Sequence, residues 1–239
     1  MEKISTGIVI VAGGSGRRMG SELPKQFLFL GGEPILIRTI NRFAKALPGA
    51  PIVVVLPEEQ RPFWENLAAR FEVAVHTVAT GGKERFDSVK SGLEALFQLG
   101  EGVELVAIHD GVRPLVSREL ILRCLDCAAR NGSAIPAVAA VDSFRRLTDE
   151  GSEVVDRSLL RAVQTPQLFD AHLLRRAYRQ PFDPAFTDDA SVVERLGTKI
   201  TLCEGERQNL KITTREDLTI AEALLAAENE QEDGERIDL

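Results

Sequence analysis

Short, nearly continuous apolar runs alternate with amphipathic stretches along most of this chain, and that alternation constrains its fold more than any other feature. Gly7–Ala12 (GIVIVA) ends in glycines, and Pro51–Leu56 (PIVVVL) is closed by Pro57. Val103–Ile108 (VELVAI) runs into His109-Asp110, and Ala134–Val141 is a further run. Runs of this length read as strands, and their lack of polar alternation requires cover on both faces. Glu72–Val78 is expected as an additional strand, third in chain order. Between the runs, apolar residues recur at helical spacing. Pro34 opens one helix, over Ile35, Ile37, Ile40 and Phe43. Another is expected over about 58–70. A third follows Gly81-Gly82, with Phe86, Val89, Leu93, Leu96 and Phe97, and a fourth is capped by Ser117. Strands that alternate with helices require crossover connections, so the expected class is α/β: a Rossmann-like, mostly parallel sheet flanked by helices.

The alternation breaks at about 142–160. Two strand-like pieces flank the turn Asp149-Glu150-Gly151-Ser152, which predicts a protruding β-hairpin arm. Its pattern leaves open whether the arm is an ordinary surface hairpin or packs on another subunit. After Phe169 the alternation resumes, with a helix near Asp189–Leu196, a strand at Lys199–Cys203 and a final helix boxed by Thr214 and Asp217. At 239 residues the chain suits one domain, expected over 1–226, followed by an acidic, flexible tail at 227–239.

Composition narrows the function. There is no apolar run of eighteen residues, and the first residues lack the basic start of a signal peptide. Cys124, Cys127 and Cys203 are too few for a disulfide framework, so a cytoplasmic setting is expected. Lys and Arg number 29 against 36 Asp and Glu, a net charge of −7. Broad nucleic-acid or anionic-membrane binding is therefore not expected, and a bound anion must meet a local cluster of cations.

Such a cluster follows the first strand, in Ala12–Lys25 (AGGSGRRMGSELPK). Three glycines, at 13, 14 and 16, let backbone N–H groups approach a phosphate, and Arg17, Arg18 and Lys25 supply charge. The Walker loop needs Lys-Ser/Thr after its last glycine, and the dinucleotide fingerprint needs glycine where Met19 stands. Neither is present.

The loop resembles the signature of the sugar-phosphate nucleotidylyltransferases, and its PKQF ending resembles the 2-C-methyl-D-erythritol 4-phosphate cytidylyltransferases among them. Further blocks agree in order: GGKERFDSV at 81–89, HDGVRPLV at 109–116, Asp156-Arg157, QTPQ at 164–167, TDDAS at 187–191 and NLKITT at 209–214. The resemblance spans about Ile8 to Ala226. It implies transfer of a cytidylyl group from CTP to a polyol phosphate, with Mg2+ and in a homodimer joined through the arm. It implies that Ala12, Gly13, Gly14, Ser15 and Gly16 lie along the nucleotide. Gly82, Lys83 and Ser88 would face cytosine and ribose, and Asp110 would hold the metal. Arg18, Lys25 and Lys211 would neutralise the reacting phosphates. Arg157 would grip the acceptor phosphate, with Asp110, Arg113, Ser143, Thr165 and Thr187 around it. Lys83 stands where the family commonly has an acidic residue, and Val11 and Gly13 replace its usual Pro and Ala. Three rivals stay open: a ribitol-5-phosphate cytidylyltransferase, an NAD-dependent oxidoreductase and a non-catalytic nucleotide-binding module. His109 is expected to be structural.

Overall fold

The computed structural model describes residues 4–14, 23–100 and 102–237. The chain begins with β1 (Thr6–Val11), a 3-10 turn at Lys25–Phe27, and the paired two-residue strands β2 (Phe29–Leu30) and β3 (Glu33–Pro34). Then come α1 (Ile35–Ala46), β4 (Ile52–Leu56), α2 (Arg61–Ala68), β5 (Thr77–Thr80), α3 (Arg85–Gln98), β6 (Leu105–Asp110), α4 (Arg118–Asn131) and β7 (Ser133–Ala139). The arm is β8 (Phe144–Thr148) and β9 (Gly151–Val155), paired antiparallel. It is followed by β10 (Arg161–Val163), β11 (Gln167–Asp170), α5 (Ala171–Ala177), α6 (Asp189–Glu194), β12 (Leu202–Glu204) and α7 (Arg215–Ile237).

The main sheet runs β10-β7-β11-β6-β1-β4-β5, and β12 also pairs with β7. Strands β6, β1, β4 and β5 are mutually parallel, with Val11 beside both Asp110 and Val55, and Leu56 beside Thr80. That register brings four carboxyl ends to one rim, where open α/β sheets bind ligands.

The period-two alternation of β1 explains why both faces must be covered. Ile8 and Ile10 pack with Leu36, Ile37, Ile40 and Phe43 of α1 and with Leu120, Ile121 and Cys124 of α4. Val9, with Val53, Val55, Val106 and Ile108, packs on Phe86, Val89, Leu93 and Leu96 of α3. Each such side chain, fully buried, contributes roughly 1.5–3 kcal/mol, so these two layers hold the rim in place. Gly92 lets α3 sit this close: a Cβ there would lie 2.6 Å from Val9 Cγ1 and 2.7 Å from Val55 Cγ2.

The structure corrects several expectations. The third strand is Thr77–Thr80 and not 72–78. Asn41 of α1 claims the earlier backbone, donating from Nδ2 to Glu72 O and accepting from Ala74 N–H at 2.9 Å each, so these groups join no ladder. The run after Gly132 ends as strand at Ala139, two residues early. QTPQ, first read only as a motif, ends in Gln167, the first residue of β11, which inserts antiparallel between β6 and β7. Asp188 caps α6. Its Oδ1 accepts from Ser191 N–H at 2.9 Å, while Ser191 Oγ accepts from the Asp188 and Thr187 N–H groups. The last helix runs through the acidic tail to Ile237, and Glu228 within it takes both Arg42 Nη atoms at 2.6 and 2.5 Å. Ser117 and the Thr214–Asp217 box cap their helices as expected.

Candidate active site

A cleft of about 250 Å3 opens at the rim. Its walls are the end of β1 with Ala12, Gly13 and Gly14, the 3-10 turn with Lys25 and Gln26, the segment Gly81–Arg85 with Ser88, and Asp110, Val112 and Lys211. Four of these side chains are basic (Lys25, Lys83, Arg85, Lys211) and two acidic (Glu84, Asp110), so the cleft is cationic in an acidic protein. A larger hollow of about 770 Å3 lies against Thr6, Ala46–Pro51, Leu122, Leu125 and Asp126, at the other end of the strands. It carries one ionisable side chain, Asp126, so size alone does not locate the chemistry.

Asp110 is the hub. It ends β6, is nearly buried, and accepts at Oδ2 from Arg113 Nε at 3.0 Å and from Lys211 Nζ at 3.1 Å. Burial pushes its carboxyl up, but the charges of Lys211, then Arg85 and Arg113, outweigh burial and hold it well below the usual carboxylate range. It is ionised at any working pH.

Behind Asp110 lies a closed network. Thr165 Oγ1 accepts from the Asp110 N–H at 3.0 Å and faces His109 Nδ1 at 3.0 Å. His109 Nε2 faces Arg113 O at 3.2 Å. A carbonyl only accepts, so Nε2 carries the proton and Nδ1 accepts from Thr165. Burial drives His109 down to about 3, and it stays neutral. Arg113 Nη1 donates to Asn209 O at 2.8 Å, and Asn209 Nδ2 donates to Thr165 O at 2.8 Å. Lys211, two residues on, is thereby aimed at Asp110.

The glycine segment is braced from within. Gly81 N–H donates to Leu56 O at 2.8 Å, and Gly82 N–H to Ser88 Oγ at 3.1 Å. Ser88 Oγ donates on to Glu84 O at 3.1 Å, and Glu84 with Asp87 forms a capping box on α3. A Cβ on Gly82 would sit 2.2 Å from Asp87 Cβ, so this turn requires glycine. On the other wall, buried Gln26 donates to Ala12 O at 2.8 Å and to Gln60 Oε1 at 2.6 Å, fixing the chain where it leaves β1. Lys25 Cε lies over Gly14, 3.1 Å from where a Cβ would stand.

The cleft thus gathers Ala12, Gly13, Gly14, Lys25, Gly82, Lys83, Ser88, Asp110 and Lys211 from the expected set. Arg113 and Thr165 stand behind it as supports. Ser143 and Arg157 lie on the arm, where Arg157 Nη1 donates to Val141 O at 2.6 Å, and Thr187 is exposed before α6. Ser15, Gly16, Arg17 and Arg18 lie outside the described residues. Sequence reasoning gave no role to Arg85, Gln26 or Asn209. The signal for Arg85 was its place in the first helical turn after two glycines. Cys124 Sγ lies 3.5 Å from Cys203 Sγ, all three thiols being free, and among the described residues no three metal-ligating side chains converge.

A sequence model of the family "2-C-methyl-D-erythritol 4-phosphate cytidylyltransferase" (IspD) matches residues 6–227. The chain belongs to this family. It is 52% identical over 219 residues to the enzyme of that name from Bacteroides fragilis, covering 91% of this chain and 98% of that one. It is 42% identical over 223 residues to the one from Geobacillus kaustophilus, covering 92% and 96%. The crystal structure of the Thermus thermophilus protein of the same name superposes with a TM-score of 0.72 at 35% identity, covering 91% of this chain and 97% of that one. Among the described residues, no helix is long and apolar enough to cross a membrane.

Proposed function

We propose that this chain transfers the cytidylyl group of CTP to 2-C-methyl-D-erythritol 4-phosphate, giving 4-diphosphocytidyl-2-C-methyl-D-erythritol and pyrophosphate in the non-mevalonate isoprenoid pathway. The observation that carries it is the basic cleft at the sheet rim, with Lys25 and Lys211 facing the same space as Asp110.

The acceptor phosphate oxygen is already anionic. It attacks the α-phosphorus, one P–O bond forms, the bond to the bridging oxygen breaks, and pyrophosphate leaves with the electron pair. No protein nucleophile is needed; positioning and charge neutralisation are the work. Lys25 and Lys211 neutralise charge on the phosphates, joined by Arg18. Backbone groups at Ala12–Gly16 and at Gly82-Lys83, with Ser88 beneath, cradle the nucleotide.

Mg2+ fits this site. Asp110 is an ionised carboxylate on the cleft wall, and among the described residues both of its side-chain contacts fall on Oδ2, which leaves Oδ1 for a cation. Mg2+ is commonly held by one or two carboxylates plus substrate phosphates, so a site with one wall carboxylate suits it. When bound, the ion would neutralise triphosphate charge.

The chain is read as a homodimer. Leu147, Val154 and Leu159 of the arm region are 84%, 77% and 80% exposed, an apolar load that a second copy would cover. Arg157, with Ser143, would then meet the acceptor in the partner's cleft, where Arg113, Thr165 and Thr187 complete its surroundings. Three free thiols favour a reducing, cytoplasmic setting.

Pyrophosphate release, measured across the four nucleoside triphosphates and several polyol phosphates, tests the reading. CTP with methylerythritol phosphate is expected to give turnover; exclusive use of ribitol 5-phosphate would overturn the acceptor assignment.

A further inference from the structure

Three blocks of the sequence, GGKERFDSV, QTPQ and TDDAS, meet in one polar knot around the buried Asp189. Arg85 lies in the first turn of α3 and lines the cleft with its side chain one-third exposed. Its guanidinium grips Asp189 with two parallel bonds, Nη1 to Oδ1 at 2.8 Å and Nη2 to Oδ2 at 2.6 Å. Asp189 is fully buried, and Tyr178 OH also donates to its Oδ1 at 2.6 Å. The next turn of chain is tied to β11: Gln167 donates to Asp188 Oδ2 at 2.8 Å and accepts from Ala190 N–H at 3.0 Å.

A buried carboxylate needs a matched counter-charge, and a bidentate guanidinium supplies one with fixed geometry. That requirement would be met equally well by an arginine anywhere in the core. Here the cation sits on the cleft wall, one residue beyond the Gly81–Glu84 segment, and its charge also helps keep Asp110 ionised. Arg85 therefore stands between two carboxylates, one in the cleft and one in the knot.

We infer that Arg85 is a positioning residue of the transfer reaction, acting through Asp189 to set the spacing between the nucleotide-facing wall at 81–88 and the segment 187–191. This rests on the proposed function, in which CTP lies against the first segment and the acceptor near the second. Under that reading the two substrates must meet in line, so a shift between the two segments weakens the hold on both.

The test compares kinetics of the full-length enzyme and its Arg85→Lys, Asp189→Asn and double variants, with thermal melting to confirm folding. Arg85→Lys keeps the charge and removes the fork; Asp189→Asn keeps the shape and removes the charge. Each is expected to raise KM for CTP and for the acceptor on the order of tenfold, with kcat falling less. The double variant is expected to be no worse than the poorer single one, because both cut one link. Tyr178→Phe removes one bond to Asp189 and is expected to raise both KM values about threefold to fivefold; it decides the matter if the other variants do not fold. Lower melting temperatures with both KM values within about twofold of the parent would make the knot merely structural and overturn the inference. A rise in KM for CTP alone, or additive effects in the double variant, would overturn it as well. The unmodified enzyme is measured with each polyol phosphate first. Turnover with ribitol phosphate alone changes the acceptor and leaves this test intact, whereas no turnover with any of them removes both readings.

Discussion

Asp110 and His109 are adjacent and buried, and acid works against the fold through both. His109 sits folded at about 3, against an ordinary value of 6.5, because burial penalises its charged form. Below about pH 6.5 the unfolded chain takes up a proton that the folded one refuses, so acid destabilises the fold through His109 until the pH nears 3. At about pH 5 the loss is about 2 kcal/mol. Asp110 is held low by Lys211, Arg85 and Arg113 against its own burial, so its contribution is present above its ordinary 3.8 and is lost below that. The two therefore act in sequence on acidification. Urea midpoints from pH 7 to 5 are expected to fall for the parent chain and to fall markedly less for His109→Gln; parallel curves would disprove the assignment. The cations answer to a different measurement. Lys25→Ala and Lys211→Ala each remove charge aimed at the reacting phosphates and are expected to lower kcat by about 100- to 1,000-fold. Steady-state pyrophosphate release reads this directly, and a change confined to KM would assign both lysines to binding.

At the scale of elements, close approach of α3 to the sheet decides more than helix propensity does. Replacing Gly92 with alanine would favour an isolated helix by about 1 kcal/mol. The added Cβ would meet Val9 and Val55 at 2.6 and 2.7 Å, and overpacking of that kind costs about 1–3 kcal/mol. Gly92→Ala is accordingly expected to lower the melting temperature, since the clash outweighs the propensity; a rise would mean that α3 floats free of the sheet. The same distinction between local and long-range causes explains what the sequence disclosed. GIVIVA and PIVVVL are continuous, β-branched and ended by Gly or Pro, so β1 and β4 were legible, as were the caps at Ser117 and Thr214. The start of β5 was not, because Asn41, more than thirty residues away, takes the backbone that would otherwise extend the ladder. Nor was β11, a short strand whose antiparallel insertion no local spacing announces. Within the site, Lys25, Asp110 and Lys211 stood in recognisable blocks. Arg85 was passed over because its importance comes from Asp189, 104 residues on.

The whole molecule raises the question of where one active site ends. Lys25, Asp110 and Lys211 line the cleft of their own chain, while Arg157 lies on an arm that carries exposed Leu147, Val154 and Leu159. If the arm serves the neighbouring copy, each site takes its lysines from one chain and its Arg157 from the other. Complementation then separates a shared site from a private one. Arg157→Ala is expected to weaken acceptor use, raising KM for the polyol phosphate, and Lys25→Ala to lower kcat, so each variant alone is poor. In a dimer of the two, one site joins an intact Lys25 cleft to an intact Arg157 arm, and the other site carries both lesions. Random re-assortment of an equal mixture makes about half the dimers mixed, with one good site in two, so about a quarter of the parent activity should return. Capture of one variant through an affinity tag carried only by the other would confirm exchange between copies before the assay. If exchange occurs and activity stays at the average of the two variants, Arg157 acts within its own chain or not at all, and the arm is a dimer contact without a part in the chemistry.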